Sequence, residues 1–186
     1  MSHGDILVRQ VSETDVDAIT TIHDDAVTNS TVTYDEETPS RGIMAQTISE
    51  IKDEGLPYLV AEVRDSNGPK VLGFAFVRRP AQYYTAETII YVADGERGRG
   101  VGRLLMEALI KECKRQAFRR MMAPIGDGPG NGAMVAFFEK LGFRCTRRLK
   151  GHGNKNGKSL DTFLMQLNIH GGAVRPPDHR AKPEGS

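Results

Sequence analysis

The stretch Glu96–Leu105, ERGRGVGRLL, decides how this chain of 186 residues is read. Gly98, Gly100 and Gly102 alternate with Arg97, Arg99, Val101 and Arg103, and a run at helical spacing follows, with Val101, Leu104, Leu105, Ala108 and Leu109 on one face. Glycine-rich turns that open helices hold phosphates, because backbone N–H groups turn toward the anion, no Cβ blocks its approach and the helix dipole favours negative charge. A nucleotide-triphosphate loop needs Lys-Ser/Thr after its last glycine, and a dinucleotide loop needs Gly-x-Gly-x-x-Gly after the first strand of a βαβ unit. The spacing here meets neither pattern. What remains is Arg-x-x-Gly-x-Gly, from Arg97, Gly100 and Gly102, a turn suited to a pyrophosphate, with Arg97, Arg99 and Arg103 available for charge-assisted bonds.

Outward from that loop, the chain alternates elements. Ile6–Val11 reads as a strand, and Ser12-Glu13-Thr14-Asp15 is a capping signal for a helix carrying Ile19, Ile22, His23 and Ala26. Asn29–Ser40 is a loop rich in turn formers. Pro39 opens a second helix to about Glu54, with Ile43, Ala45, Ile48 and Ile51 inward. Strands are expected at Tyr58–Val63, Val71–Arg78 and Thr88–Ala93, the first two joined by a Ser66–Pro69 turn. After the glycine-loop helix come a short buried strand, Met121–Ile125, a loop over 126–132, and a helix Ala133–Lys140 stopped by Gly142. Phe143–Lys150 and Leu160–Asn168 close the sheet as an antiparallel pair, leaving Gly151–Gly157 as a glycine-rich turn. The expected fold is α/β (α+β), a mixed, mostly antiparallel sheet with helices on both faces, forming one domain over 1–169. Residues 170–186 are polar and proline-rich and read as a flexible tail.

Composition narrows the function. The length suits a single domain with a sizeable core. A net charge of +1 lacks the basic excess of a nucleic-acid binder. Cys113 and Cys145 lack metal-ligand spacing and read as free thiols of a reducing compartment. No run approaches the ~18 apolar residues of a membrane span, and the first residues have no apolar signal core, so the expectation is a cytoplasmic protein without membrane or metal.

The order strand, Arg-x-x-Gly-x-Gly, helix, short strand, Asn-containing loop, helix and Leu-Gly-Phe resembles the GNAT superfamily of acetyl-CoA-dependent N-acetyltransferases over roughly residues 5–168. Within it, NSTVTYDEETP, TAETIIYV with its glycine loop, and SLDTFLMQLNI resemble phosphinothricin and methionine sulfoximine acetyltransferases. Those enzymes acetylate the α-amino group of small amino-acid analogues and commonly form homodimers.

The resemblance implies roles. Backbone groups of Tyr91, Val92 and Ala93 would hold the pantetheine of acetyl-CoA, with an N–H near Val92 polarising the thioester carbonyl. Arg97, Gly98, Arg99, Gly100, Val101, Gly102 and Arg103 would hold the pyrophosphate, and Asn131 the cofactor arm. Glu87, just before the apolar strand, would take the proton that an α-ammonium must lose, through water. Arg78 and Arg79 are candidates for the amino-acid carboxylate, at most one of them in direct contact because strand neighbours point opposite ways. Tyr34, Tyr83 and Tyr84 are candidates for the acceptor pocket. One departure stands out: Phe138 occupies a helix site where the phosphinothricin enzymes carry a histidine, so Glu87 acts through water alone, or His152 assists, or the acceptor differs. Other acceptors (a polyamine, an aminoglycoside, a protein N-terminus) and a non-catalytic acyl-CoA-binding module are the alternatives.

Overall fold

A computed structural model describes residues 5–66, 68–80 and 84–170. Tyr83 and most of the expected tail, residues 171–186, lie outside them. Among the described residues, strands β1 (Leu7–Gln10), β2 (Tyr58–Asp65), β3 (Gly68–Arg78), β4 (Thr85–Val92), β5 (Arg120–Ile125), β6 (Arg144–Lys155) and β7 (Lys158–Asn168) form one sheet in the order β1-β2-β3-β4-β5-β7-β6. Every pairing is antiparallel except β4 with β5. The helices are α1 (Val16–Asn29), α2 (Arg41–Asp53), α3 (Val101–Arg115) and α4 (Gly132–Lys140). This is the single mixed-sheet domain expected from the sequence.

Strand alternation sorts the layers. Phe74, Phe76 and Arg78 of β3 lie opposite Tyr91, Ile89 and Glu87 of β4, so these six share a face. His23 of α1 meets Tyr91 edge-on with ring centroids 5.0 Å apart, which puts α1 on that face. The other face carries α3: a Cβ added at Gly73 would sit 3.3 Å from the Leu105 side chain and 2.7 Å from the Tyr91 carbonyl oxygen. The absent side chain is what lets helix and strands approach there. Phe137 of α4 packs against Gly102, so α4 shares the α3 layer.

Local chemistry explains the element ends. The Ser12 N–H donates to Asp15 Oδ2 at 2.8 Å, closing the expected cap. Ser40 caps α2 through its hydroxyl. Gly100 starts α3 with φ +87°, a left-handed conformation that costs glycine least.

Four expectations are corrected. The buried face of α3 is Val101, Leu105, Met106, Leu109 and Cys113, whereas Leu104 is 39% exposed, because α3 lies on the sheet through a face rotated away from it. In α2, Met44 is buried in place of Ile43, which is 56% exposed. Glu87 lies inside β4 rather than before it, since pairing with β3 begins at Arg78↔Glu87. The 151–157 segment is strand on both sides of a tight turn, with the register of β6 shifted between Leu149 and Gly153. Both cysteines are free; Cys113 is fully buried, and burial pushes its thiol up to about 12, while Cys145 is half-buried.

Candidate active site

The one parallel pairing creates the site. β4 and β5 match over Thr85↔Arg120, Ala86↔Met121 and Glu87↔Met122, and then part. β5 stays with β7 as far as Ile125, and β4 stays with β3 as far as Val92. A wedge therefore opens between Thr88–Val92 and Ala123–Ile125. In a strand, N–H groups alternate between neighbours. The Ala93 N–H bonds the Leu72 carbonyl at 2.9 Å, so by alternation Tyr91 also faces β3, while Ile90 and Val92 turn their N–H groups into the wedge. Of the three backbone positions expected there, Val92 alone points its N–H inward, and Ile90, which the motif did not single out, joins it.

The wedge continues into a cleft of about 740 Å³. Its lining includes Tyr34, Arg78, Glu87, Tyr91, Phe138 and His152, which the sequence singled out from five different elements and loops. Glu87 and Arg78 stand directly opposite each other on adjacent strands. The Arg78 guanidinium lies over the Phe76 ring, 5.5 Å from its centroid. Its charge also acts on buried groups around the cleft, opposing the upward push of burial on the Tyr58 and Tyr91 hydroxyls. Arg79 points away and covers Phe118 at 5.4 Å, as strand alternation requires, and is not among the lining residues.

Tyr34 is built in firmly. Its hydroxyl hydrogen-bonds Thr162 Oγ1 at 2.5 Å, and its ring lies where a Cβ on Gly153 would fall, 2.2 Å away. His152 Nδ1 lies 3.1 Å from the same threonine oxygen. Lys155, buried, donates to the carbonyls of Ser30 and Thr33 at 2.7 and 3.0 Å, so the β6–β7 hairpin clasps the loop that carries Tyr34. Asn131 is occupied differently from the expectation. Its amide donates to Gly126 O at 2.7 Å and Thr31 Oγ1 at 3.1 Å, bracing that loop, and Asn131 does not line the cleft. Tyr84 lies under Arg119, 5.2 Å from the guanidinium, and also outside the lining.

The glycine loop follows β4 and opens α3. A Cβ at Gly98 or Gly100 would meet nothing within 4 Å, so the surface above both is open. The three arginines there each have a carboxylate neighbour. Arg99 pairs with Glu96, Arg103 Nε with Glu107 at 2.7 Å, and Arg97 approaches Asp25 at 4.0 Å. Glu96 is itself buried, and Lys70 at 2.9 Å helps hold its carboxyl below the usual carboxylate range.

His23 is a cleft residue that the sequence gave no reason to select beyond its place on a helix face. It is buried, and burial pushes its imidazole below the ordinary value, so it is neutral at neutral pH. Its Nε2 lies 3.5 Å from Asp35 Oδ2. A polar side chain at an inward position of an amphipathic helix was the signal available.

A sheet split by one parallel pairing, with a glycine turn at one end of the wedge and a carboxylate at the other, is the arrangement that the resemblance to acetyltransferases implies. The chain belongs to the GNAT acetyltransferase family: the family model described as an acetyltransferase (GNAT) domain matches residues 8–164. It is similar to a phosphinothricin N-acetyltransferase of Alcaligenes faecalis, 37% identical over 92% of this chain and 86% of that protein. An L-methionine sulfoximine/L-methionine sulfone acetyltransferase of Pseudomonas aeruginosa is 33% identical over 87% and 94%. Among solved structures, a GNAT superfamily phosphinothricin acetyltransferase from Sinorhizobium meliloti in complex with AcCoA matches with a TM-score of 0.84 and 33% identity, covering 96% of both chains. The protein is accordingly an N-acetyltransferase. No helix among the described residues is long and apolar enough to cross a membrane.

Proposed function

We propose that the protein transfers the acetyl group of acetyl-CoA to the α-amino group of a small amino acid or analogue of the phosphinothricin, methionine sulfoximine or methionine sulfone type. The observation that carries this reading is the cross-strand pair Arg78–Glu87 at the apex of the wedge. A guanidinium grips an α-carboxylate bidentately, and a carboxylate one strand away is placed to take a proton from the neighbouring α-ammonium. Acetyl-CoA supplies the activated acyl group when bound. The open wedge with inward N–H groups at Ile90 and Val92 fits its pantetheine arm, and the open glycine turn fits its pyrophosphate.

Within that frame Arg78 orients the acceptor, Glu87 accepts the proton through a water, and the aromatic floor of Tyr58, Phe74 and Phe76 excludes bulk solvent from the acceptor side. Phe138, buried against Phe137 and Phe143, cannot carry a proton, and in this reading Glu87 serves as the base while His152 Nδ1, 3.1 Å from Thr162 Oγ1, belongs to the wall that holds Tyr34. Tyr34 lines the acceptor pocket, and its hydroxyl is committed to Thr162. The reading includes a homodimer, as the resemblance implies, and a cytoplasmic location, where free thiols such as Cys113 and Cys145 persist.

The test is thiol release from acetyl-CoA with a panel of amino acids, polyamines and aminoglycosides. Turnover on phosphinothricin, methionine sulfoximine or methionine sulfone supports the reading. Turnover confined to polyamines or aminoglycosides overturns the acceptor, and coenzyme A binding without turnover on any amine overturns the reaction.

A further inference from the structure

Among the described residues, two buried side-chain polar atoms lack any hydrogen-bond partner, His23 Nδ1 and Thr88 Oγ1, and both residues line the cleft. A buried orphan hydroxyl forfeits the bond it makes with water in the unfolded chain, so its presence in a tightly packed strand points to a partner that arrives with the ligand. Thr88 is 3% exposed and follows directly on Glu87↔Met122, the last pair before β4 and β5 part. Its backbone therefore stands at the apex of the wedge, and its side chain stands off one face of the sheet there.

Alternation gives it a direction. Thr88 lies opposite Val77, on the sheet face that α3 covers, whereas Glu87 points to the α1 face with Arg78. The acceptor nitrogen must lie on the Glu87 side of the reacting carbon. The sulfur is a second corner of the same tetrahedral carbon, and an acyl arm lying along the wedge toward the glycine turn would carry it past the opposite face of β4.

We propose that Thr88 Oγ1 donates a hydrogen bond to the sulfur of acetyl-CoA as the acyl group is transferred, making Thr88 a second catalytic residue beside Glu87. The assignment rests on the acetyl transfer proposed above. In the step, the acceptor nitrogen forms the C–N bond, the C–S bond breaks and its electron pair stays on sulfur. The amine proton passes to Glu87 through water, and from there solvent carries it to the thiolate. The Thr88 hydroxyl keeps its proton and lends only the hydrogen bond, which strengthens as charge gathers on sulfur.

The test pairs Thr88→Val with Thr88→Ser in the full chain. In Thr88→Val the orphan hydroxyl gives way to a methyl of similar size, so the ligand-free protein melts at or above the wild-type temperature. Its kcat falls roughly 10- to 100-fold, the range of one hydrogen bond to a charged group. Its acetyl-CoA KM, and its affinity for coenzyme A by calorimetry, stay within about threefold of wild type, because the sulfur charge exists only in the transition state. Thr88→Ser retains most of the rate. Wild-type kcat in Thr88→Val overturns the assignment. So does a loss of melting temperature that tracks the loss of rate and is not rescued by serine. If the wild-type enzyme itself releases no thiol on any amine, the proposed reaction fails and takes this assignment with it; turnover by wild type and Thr88→Val alike defeats the Thr88 role alone.

Discussion

Glu87 and Arg78 sit opposite each other on neighbouring strands, yet among the described residues neither is tied into a salt bridge or side-chain hydrogen bond. Adjacent opposite charges on a sheet ordinarily gain from pairing. Here the guanidinium lies over Phe76 instead, and both groups remain available to a zwitterionic acceptor. Glu87→Gln preserves shape and burial while removing the base. Steady-state kinetics should show kcat reduced by on the order of 10²–10⁴, with the acetyl-CoA KM near wild type. An unchanged kcat would remove Glu87 from the reaction. Glu87 was singled out in the sequence by the resemblance, as the glutamate beside an apolar run and a glycine turn. Its partner in space was not: Arg78 and Arg79 are equivalent as text, and strand parity separates them only once the register is known.

At the scale of elements, the loop between α1 and α2 and the β6–β7 hairpin make one wall of the cleft. Lys155 bonds the Ser30 and Thr33 carbonyls, Tyr34 bonds Thr162, and the Asn156 N–H donates to Glu36 Oε1 at 2.9 Å. Lys155→Met leaves two carbonyls without their donor, at a cost of about 1–3 kcal/mol in urea denaturation. Because that loop carries Tyr34 but no glycine-turn residue, the acceptor KM should rise severalfold while the acetyl-CoA KM holds. Equal rises in both would show that the clasp supports the whole sheet. Nothing in GHGNKNG signals such a clasp: the segment reads as a solvated turn, and its lysine acquires meaning only from carbonyls more than a hundred positions away. The same distance hid the bracing role of Asn131, whose partner Thr31 lies in that loop.

For the molecule as a whole, the first strand is locked by charge. Arg9 bridges Asp15 at 2.8 Å and Glu62 at 2.7 Å, carboxylates only 4% and 1% exposed. The Arg9 hydrogen bond holds the Glu62 carboxyl below its usual range. Burial pushes the Asp15 carboxyl up, and hydrogen bonds from Arg9 and Ser12 more than offset it. Both bind their protons less readily folded than unfolded, so the stability they contribute is present above about pH 4 and is lost as pH falls through their lower folded values. His23, lowered chiefly by burial, acts in the same sense but earlier, beginning below about pH 6.5. Denaturation midpoints measured from pH 7.5 to 3 should therefore fall gently at first and steeply below about 4. Arg9→Met leaves buried Glu62 with only the exposed Arg64 and buried Asp15 with only Ser12, and should remove up to roughly 3–5 kcal/mol at neutral pH. A flat profile in the wild type would contradict this account.

Helix caps, turn glycines and apolar periodicity act within a few residues, which is why the order of elements and the glycine turn that opens α3 could be read from the amino acids alone. The family followed from that order. What only the tertiary structure decided is where β4 and β5 part, which N–H groups face the opening, which buried hydroxyl is left unpartnered beside it, and which of two arginines reaches the cleft. Those depend on strand register and on contacts between distant segments, where a shift of one residue turns a side chain to the opposite face.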